Sequence, residues 1–244
     1  MKQLELIPKA NHIDQRRFAG VRPHIYQDGD SVTMQFRIGE IQSEMLESDP
    51  TFLVLSYTRT MMAFLLFHNT PESIAMIGLG GGSMPKWCYH YLPSTNVTVI
   101  EISPLVISLR EQFYIPADDQ RFRVLCGDGA DYVATTEDSP DVLLVDGFDA
   151  HGQPPQLCSQ EFYLDCYRAL TCDGVMVVNL CSPEHQQAIE KIRRAFDDRV
   201  HIVVPEDGEN TVVFALKGRR VWIEDEPSKN SRCALELAMS SFPS

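Results

Sequence analysis

The sequence predicts an α/β protein: a doubly wound, mostly parallel sheet preceded by a small antiparallel β-sheet. Strand-like and helix-like stretches alternate from residue 73 onward, the pattern of parallel strands with helices on both faces. The apolar run Ser73-Ile74-Ala75-Met76-Ile77 leads straight into Gly78-Leu79-Gly80-Gly81-Gly82, which reads as a buried strand ending in a tight turn that opens a helix. Four consecutive predicted strands finish on glycine or a carboxylate: the 78–82 turn, Glu101, Asp128, and Asp146 with Asp149. Ligands of doubly wound sheets lie beyond those carboxyl ends.

The elements follow in order. Residues 1–20 are polar and unpatterned, the text of a loosely held arm. His24-Ile25-Tyr26, Val32 to Phe36 and Ile41-Gln42 alternate apolar and polar residues around Asp28-Gly29 and Gly39, predicting a small antiparallel sheet. Too small to stand alone, it packs on the main domain or on a second subunit. Asp49-Pro50 is expected to start a largely buried helix running to Phe67, with Tyr57 either in the core or at the active-site rim. The main domain is then read as helix 84–91, strand 97–102, helix 104–113, strand 122–126 and a short helix from Gly129. Strand 142–146, helix 160–170, strand 174–180 and helix 183–196 complete the alternation. Strands 201–204 and 211–216, joined by a short polar turn, form an antiparallel hairpin. Beyond Trp222 the chain is polar, with a short helix expected over 232–240. The expected organisation is an arm and small sheet over 1–48, the α/β domain over 49–222 and a tail over 223–244.

Composition narrows the partners. The formal net charge is −13, so there is no basic footprint for nucleic acid, and a cationic or neutral substrate is the better match. Seven scattered cysteines, without a CxxC pair or zinc-like spacing, predict reduced thiols, a cytoplasmic location and no metal. The apolar stretch 53–67 is broken by Tyr57 and Arg59 and is too short to span a bilayer.

The turn and the strand ends point to a nucleoside. Glycine there reaches backbone angles closed to other residues, and the following helix aims free N–H groups at whatever lies above it. Glu101, 23 positions after Gly78, is placed to accept hydrogen bonds from ribose hydroxyls. Asp128 suits either the exocyclic amine of adenine or a plain helix N-cap. The glycines run G-x-G-x-G, with Ser83 where a dinucleotide fingerprint has its third glycine, which favours a nucleoside sulfonium over NAD.

On GLGGGS, VIEISP, CGDGADY and DVLLVDGFD, with Ser159-Gln160-Glu161-Phe162-Tyr163 and Asp173-Gly174 behind them, the chain resembles the spermidine/spermine synthase family, aminopropyltransferases with a class I methyltransferase fold. The resemblance implies a homodimer and a donor, decarboxylated S-adenosylmethionine, bound by Gly78, Gly80, Gly81, Gly82, Glu101, Ile102, Asp128, Gly129 and Gln42. It also implies displacement of a neutral thioether by an amine such as putrescine, with Asp146 as general base, Asp149 as a second carboxylate on the amine, and Tyr57 orienting it. Gly81 stands where the family carries an aspartate for the donor's amino group, Thr58 and Arg59 replace a glutamine and a glutamate, and Ala150 replaces a proline. If Arg59 faces the site, it repels a polyamine and attracts the carboxylate of intact S-adenosylmethionine. A methyltransferase using that donor on a small acceptor, or a non-catalytic relative that binds an adenosyl ligand, therefore stays open.

Overall fold

The computed structural model describes residues 22–37, 39–137, 139–149, 152–181 and 185–218. The predicted arm, the tail with its helix, and Ala150 lie outside the described residues. At the N-terminal end, β1 (His24–Asp28), β2 (Ser31–Arg37) and β3 (Glu40–Leu46) form a three-stranded antiparallel sheet. Gly29, at φ 59°, makes the first hairpin turn. Val32, Met34 and Met45 alternate onto one buried face and share a core cluster with Leu79, Met84 and Trp87. The small sheet thus lies on the main domain, over the glycine turn.

The expected helix from Asp49 to Phe67 forms only in part. It is α1 (Ser56–Met61) followed by a 3-10 turn, Met62–Leu66. Asp49 instead accepts from the backbone N–H and hydroxyl of Thr51, a local bond that competes with helix. Arg59 reaches back to the carbonyl oxygens of Leu53 and Val54, each at 2.6 Å.

The main sheet contains β4 (Ser73–Ile77), β5 (Asn96–Glu101), β6 (Phe122–Cys126), β7 (Val142–Val145), β8 (Val175–Leu180), β9 (Val200–Val203) and β10 (Thr211–Leu216). Their order is β6-β5-β4-β7-β8-β10-β9. All neighbours are parallel except β10, which runs antiparallel to β8 and β9. Side chains alternate across the sheet. Ile74, Met76, Val142 and Leu144 enter one core with the small sheet and α2 (Ser83–Tyr91). Ala75, Ile77, Leu143 and Val145 enter a second. That second core is shared with α4 (Gly129–Thr135), α5 (Gln160–Ala169) and α6 (His185–Ala195).

The helix expected over 104–113 is only α3 (Pro104–Ile107), capped by Ser103. Beyond it the backbone bonds shorten to i−3 at Leu109, Arg110 and Gln112, and Ser108 donates to Leu105 O at 2.6 Å. Tertiary contacts hold this stretch: Lys86, 3% exposed on α2, donates to Phe113 O at 2.8 Å, and burial lowers its amine to about 8. Among the described residues no helix is long and apolar enough to cross a membrane.

Candidate active site

The chain runs from β4 outward to β5 and β6 and then returns to β7 on the other side of β4, so the crevice above β4 and β7 is the switch point where such sheets bind ligands. A cleft of about 860 Å3 opens there. Its floor is the glycine turn, whose Gly78, at φ 95°, has no room for a side chain. A Cβ would lie 2.3 Å from Asp146 O. The glycine is therefore needed to bring the ends of β4 and β7 together, rather than only for approach of a ligand.

Gly78, Gly80, Ile102, Gly129 and Gln42 line this cleft, as do the carboxylates Glu101, Asp128, Asp146 and Asp149 and the phenol of Tyr57. Gly81 and Gly82 do not; they turn into the protein. Gly81 N–H donates to Ser43 Oγ at 2.8 Å, and a Cβ on Gly81 would meet the Phe113 ring at 2.8 Å and Ser43 Cβ at 2.9 Å. Gly82 faces Ile115 and caps α2 at φ 68°.

Glu101 ends β5 at 7% exposure. Leu79 N–H donates to one of its oxygens and Ser103 N–H to the other, both at 2.8 Å. Burial raises its pKa, opposed by these N–H groups and that of Ile102. An ionised carboxylate has about four acceptor sites, so sites remain for ligand hydroxyls. Asp128 does cap α4, accepting from Ala130 N–H at 2.8 Å, and its other oxygen accepts from Gln156 Nε2 at 3.3 Å.

Asp146, just past β7, is held from two sides. Tyr57 donates its hydroxyl to Oδ2 at 3.1 Å, and Asn179 Nδ2, at the end of β8, donates to Oδ1 at 2.9 Å. Burial raises the carboxyl pKa, and the Asn179 and Tyr57 bonds oppose that rise. Burial first, then the Asp146 charge, lifts the Tyr57 phenol well above its ordinary value, so it stays a donor. A half-buried carboxylate that keeps some affinity for a proton is suited to general-base work. Asp149 is exposed at the rim and pairs across a short bridge with Gly152.

Sequence reasoning passed over Asn179, Gln156, Ser43 and Glu209. Asn179 carries the clearest signal, a polar residue in the otherwise apolar run Val175-Met176-Val177-Val178-Asn179-Leu180. Arg59 is absent from the cleft wall, its guanidinium taken up by the Leu53 and Val54 carbonyls. Among the described residues no lysine, arginine or histidine lines the cleft, while Glu101, Asp128, Asp146, Asp149 and Glu209 all do.

A doubly wound sheet with a glycine turn and carboxylates at the switch point defines a methyltransferase-like α/β enzyme. The chain belongs to the spermine/spermidine synthase family, whose domain model matches residues 54–225. It is 37% identical over 197 residues to a polyamine aminopropyltransferase of Neisseria meningitidis, covering 79% of this chain and 75% of the relative. Its fold is similar to that of a probable spermidine synthase from Corynebacterium glutamicum, with TM-score 0.73, 19% identity and coverage of 91% of this chain and 85% of the other. It is also similar to a spermidine synthase solved in complex with the transition-state analogue AdoDATO, with TM-score 0.61, 22% identity and coverage of 91% and 86%.

Proposed function

We propose that this protein is an aminopropyltransferase, moving the aminopropyl group of decarboxylated S-adenosylmethionine to an amine such as putrescine. The observation that carries the choice of donor is the charge of the cleft. Five carboxylates and, among the described residues, no cation line it, which attracts a sulfonium and an ammonium and disfavours the extra carboxylate of the intact donor. In this reading Glu101 accepts from the ribose hydroxyls, Asp128 from the adenine amine, and Gln42 closes the site from the small sheet.

The acceptor enters as an ammonium with a pKa of about 10, so only about one molecule in a thousand is nucleophilic at neutral pH. Asp146 takes the proton, with Tyr57 and Asn179 fixing both its oxygens. The freed nitrogen pair attacks the carbon beside the sulfonium, the new C–N bond forms as the C–S bond breaks, and the bonding pair leaves on sulfur as a neutral thioether. Asp149 holds the amine at the rim. A homodimer in the cytoplasm belongs to the same reading, with Tyr26 and Ile41, exposed on the small sheet, offering apolar surface to a second copy.

The test measures methylthioadenosine release from the decarboxylated donor, with calorimetric titration of both donors. Wild type is expected to release it and to bind the decarboxylated form more tightly, and Asp146→Asn is expected to lose about 10²–10⁴-fold in kcat. Full activity in Asp146→Asn removes that residue from the mechanism, and a preference for the intact donor moves the protein to methyl transfer.

A further inference from the structure

Lys86 is a buried cation that the displacement does not use. It sits on α2, and among the described residues its ammonium has one partner, the carbonyl oxygen of Phe113 at 2.8 Å. An ammonium has three donors, and burying it against a single neutral acceptor costs more than burying an apolar side chain of similar volume. Packing alone gives no reason for a lysine at this position.

The carbonyl it holds belongs to a strained turn. Ile115 N–H donates to Arg110 O at 2.9 Å and Tyr114 N–H to Glu111 O at 3.2 Å. This pair of bonds is the Schellman closure of a helical turn, which puts residue 114 in the left-handed region and is usually built on glycine. Tyr114 occupies it at φ 51°, a strained conformation for an aromatic residue. Such strain persists only where the surroundings hold the backbone. Phe113 O lies on the peptide bond that joins Phe113 to Tyr114, so the Lys86 bond fixes the peptide plane about which that φ turns.

The residues on either side of Tyr114 form the back wall of the glycine turn. A Cβ on Gly81 would meet the Phe113 ring at 2.8 Å, and one on Gly82 would meet Ile115 Cγ1 at 2.5 Å. Lys86 also donates its backbone N–H to Gly82 O at 3.0 Å as the first turn of α2 closes. One residue thus grips both the turn and the wall behind it. Gly80 and Ser83, which flank Gly81 and Gly82, line the cleft, so a displaced wall displaces the cleft floor.

We propose that Lys86 is a positioning residue of the cleft floor: its bond to Phe113 O holds the left-handed turn at Tyr114, and through Phe113 and Ile115 the glycine turn, in the shape that receives the adenosyl ligand. The inference rests on the aminopropyl-transfer reading for the identity of that ligand.

The experiment measures methylthioadenosine affinity by calorimetry, and separate KM values for the decarboxylated donor and for putrescine, with thermal unfolding recorded alongside. The proteins are full-chain wild type, Lys86→Met and Lys86→Met with Tyr114→Gly. Lys86→Met keeps an apolar stem and removes the donor. It is expected to weaken methylthioadenosine and raise the KM of the decarboxylated donor about tenfold, the size of one hydrogen bond from a charged group, while the putrescine KM stays within about twofold. Glycine takes the left-handed conformation without strain, and Tyr114 is more than half exposed. The double variant no longer needs the clamp and is expected to return to within about threefold of wild-type affinity. A lysine with a purely structural role would lower Tm and leave these constants unchanged in the molecules that fold, and that result overturns the proposal. So does an equal rise in both KM values, or a double variant that recovers neither folding nor affinity. Wild type that binds methylthioadenosine without turnover sinks the transfer reading and leaves the role of Lys86 to be read by calorimetry. Turnover in wild type with unchanged affinity in Lys86→Met sinks the role of Lys86 alone, and wild type that neither binds nor turns over sinks both.

Discussion

At Asp146 two opposing effects set the affinity for a proton, and burial is the larger. Desolvation favours the protonated form, while the donors Asn179 and Tyr57 favour the ionised form. Removing either donor must raise the pKa further, because the folded carboxylate loses a bond made only to its charged state. In Tyr57→Phe, and separately in Asn179→Ala, the acid limb of the kcat/KM profile is therefore expected to move up by about half a unit to one unit, from a bond worth about 0.5–1.5 kcal/mol. The profile of initial rates between about pH 5 and 9 reads this, since kcat/KM reports ionisation of the free enzyme. A limb that stays in place, or moves down, shows that Asp146 does not set it.

Among the elements, the glycine turn joins the switch-point crevice to the small sheet. Its sequence was legible because an apolar β-branched strand followed by clustered glycines has few other uses, and the neighbouring strand ends Glu101 and Asp146 stood out for the same reason. The stretches before α1 and after α3 were not legible, because Arg59 bonding to the Leu53 and Val54 carbonyls and Lys86 bonding to Phe113 O are tertiary contacts that no local propensity encodes. Asn179 escaped because a single polar residue in a buried strand is read as part of the strand. At Gly81 the turn packs closely against its surroundings. The Phe113 ring and Ser43 occupy the space a side chain at Gly81 needs. Gly81→Asp is thus expected to lower Tm by about 2–10 °C through overpacking of about 1–3 kcal/mol, measured by thermal unfolding. Phe113→Leu in the same chain is expected to recover part of the loss. A Gly81→Asp protein as stable as wild type would show that the turn, rather than its packing against the small sheet, adapts.

Charge acts over the whole molecule. The chain carries −13 overall, and the described wall of the cleft has carboxylates from β5, the start of α4, the end of β7 and the β9–β10 turn with no cation between them. A cleft of one sign with low-dielectric walls focuses the field and concentrates cations of the substrate. The contribution of distant charges is screened by salt, whereas a direct contact in the closed site is screened much less. Raising ionic strength from about 0.01 M to about 0.1 M shortens the screening length from about 30 Å to about 10 Å, so KM for putrescine is expected to rise several-fold while the affinity for neutral methylthioadenosine changes less than about twofold. Parallel rate measurements and calorimetry across that range separate the two ligands. A KM for putrescine that does not respond to salt would confine the attraction to direct contacts inside the cleft. It would also remove the cleft's wider field from the account of how a cationic acceptor is gathered.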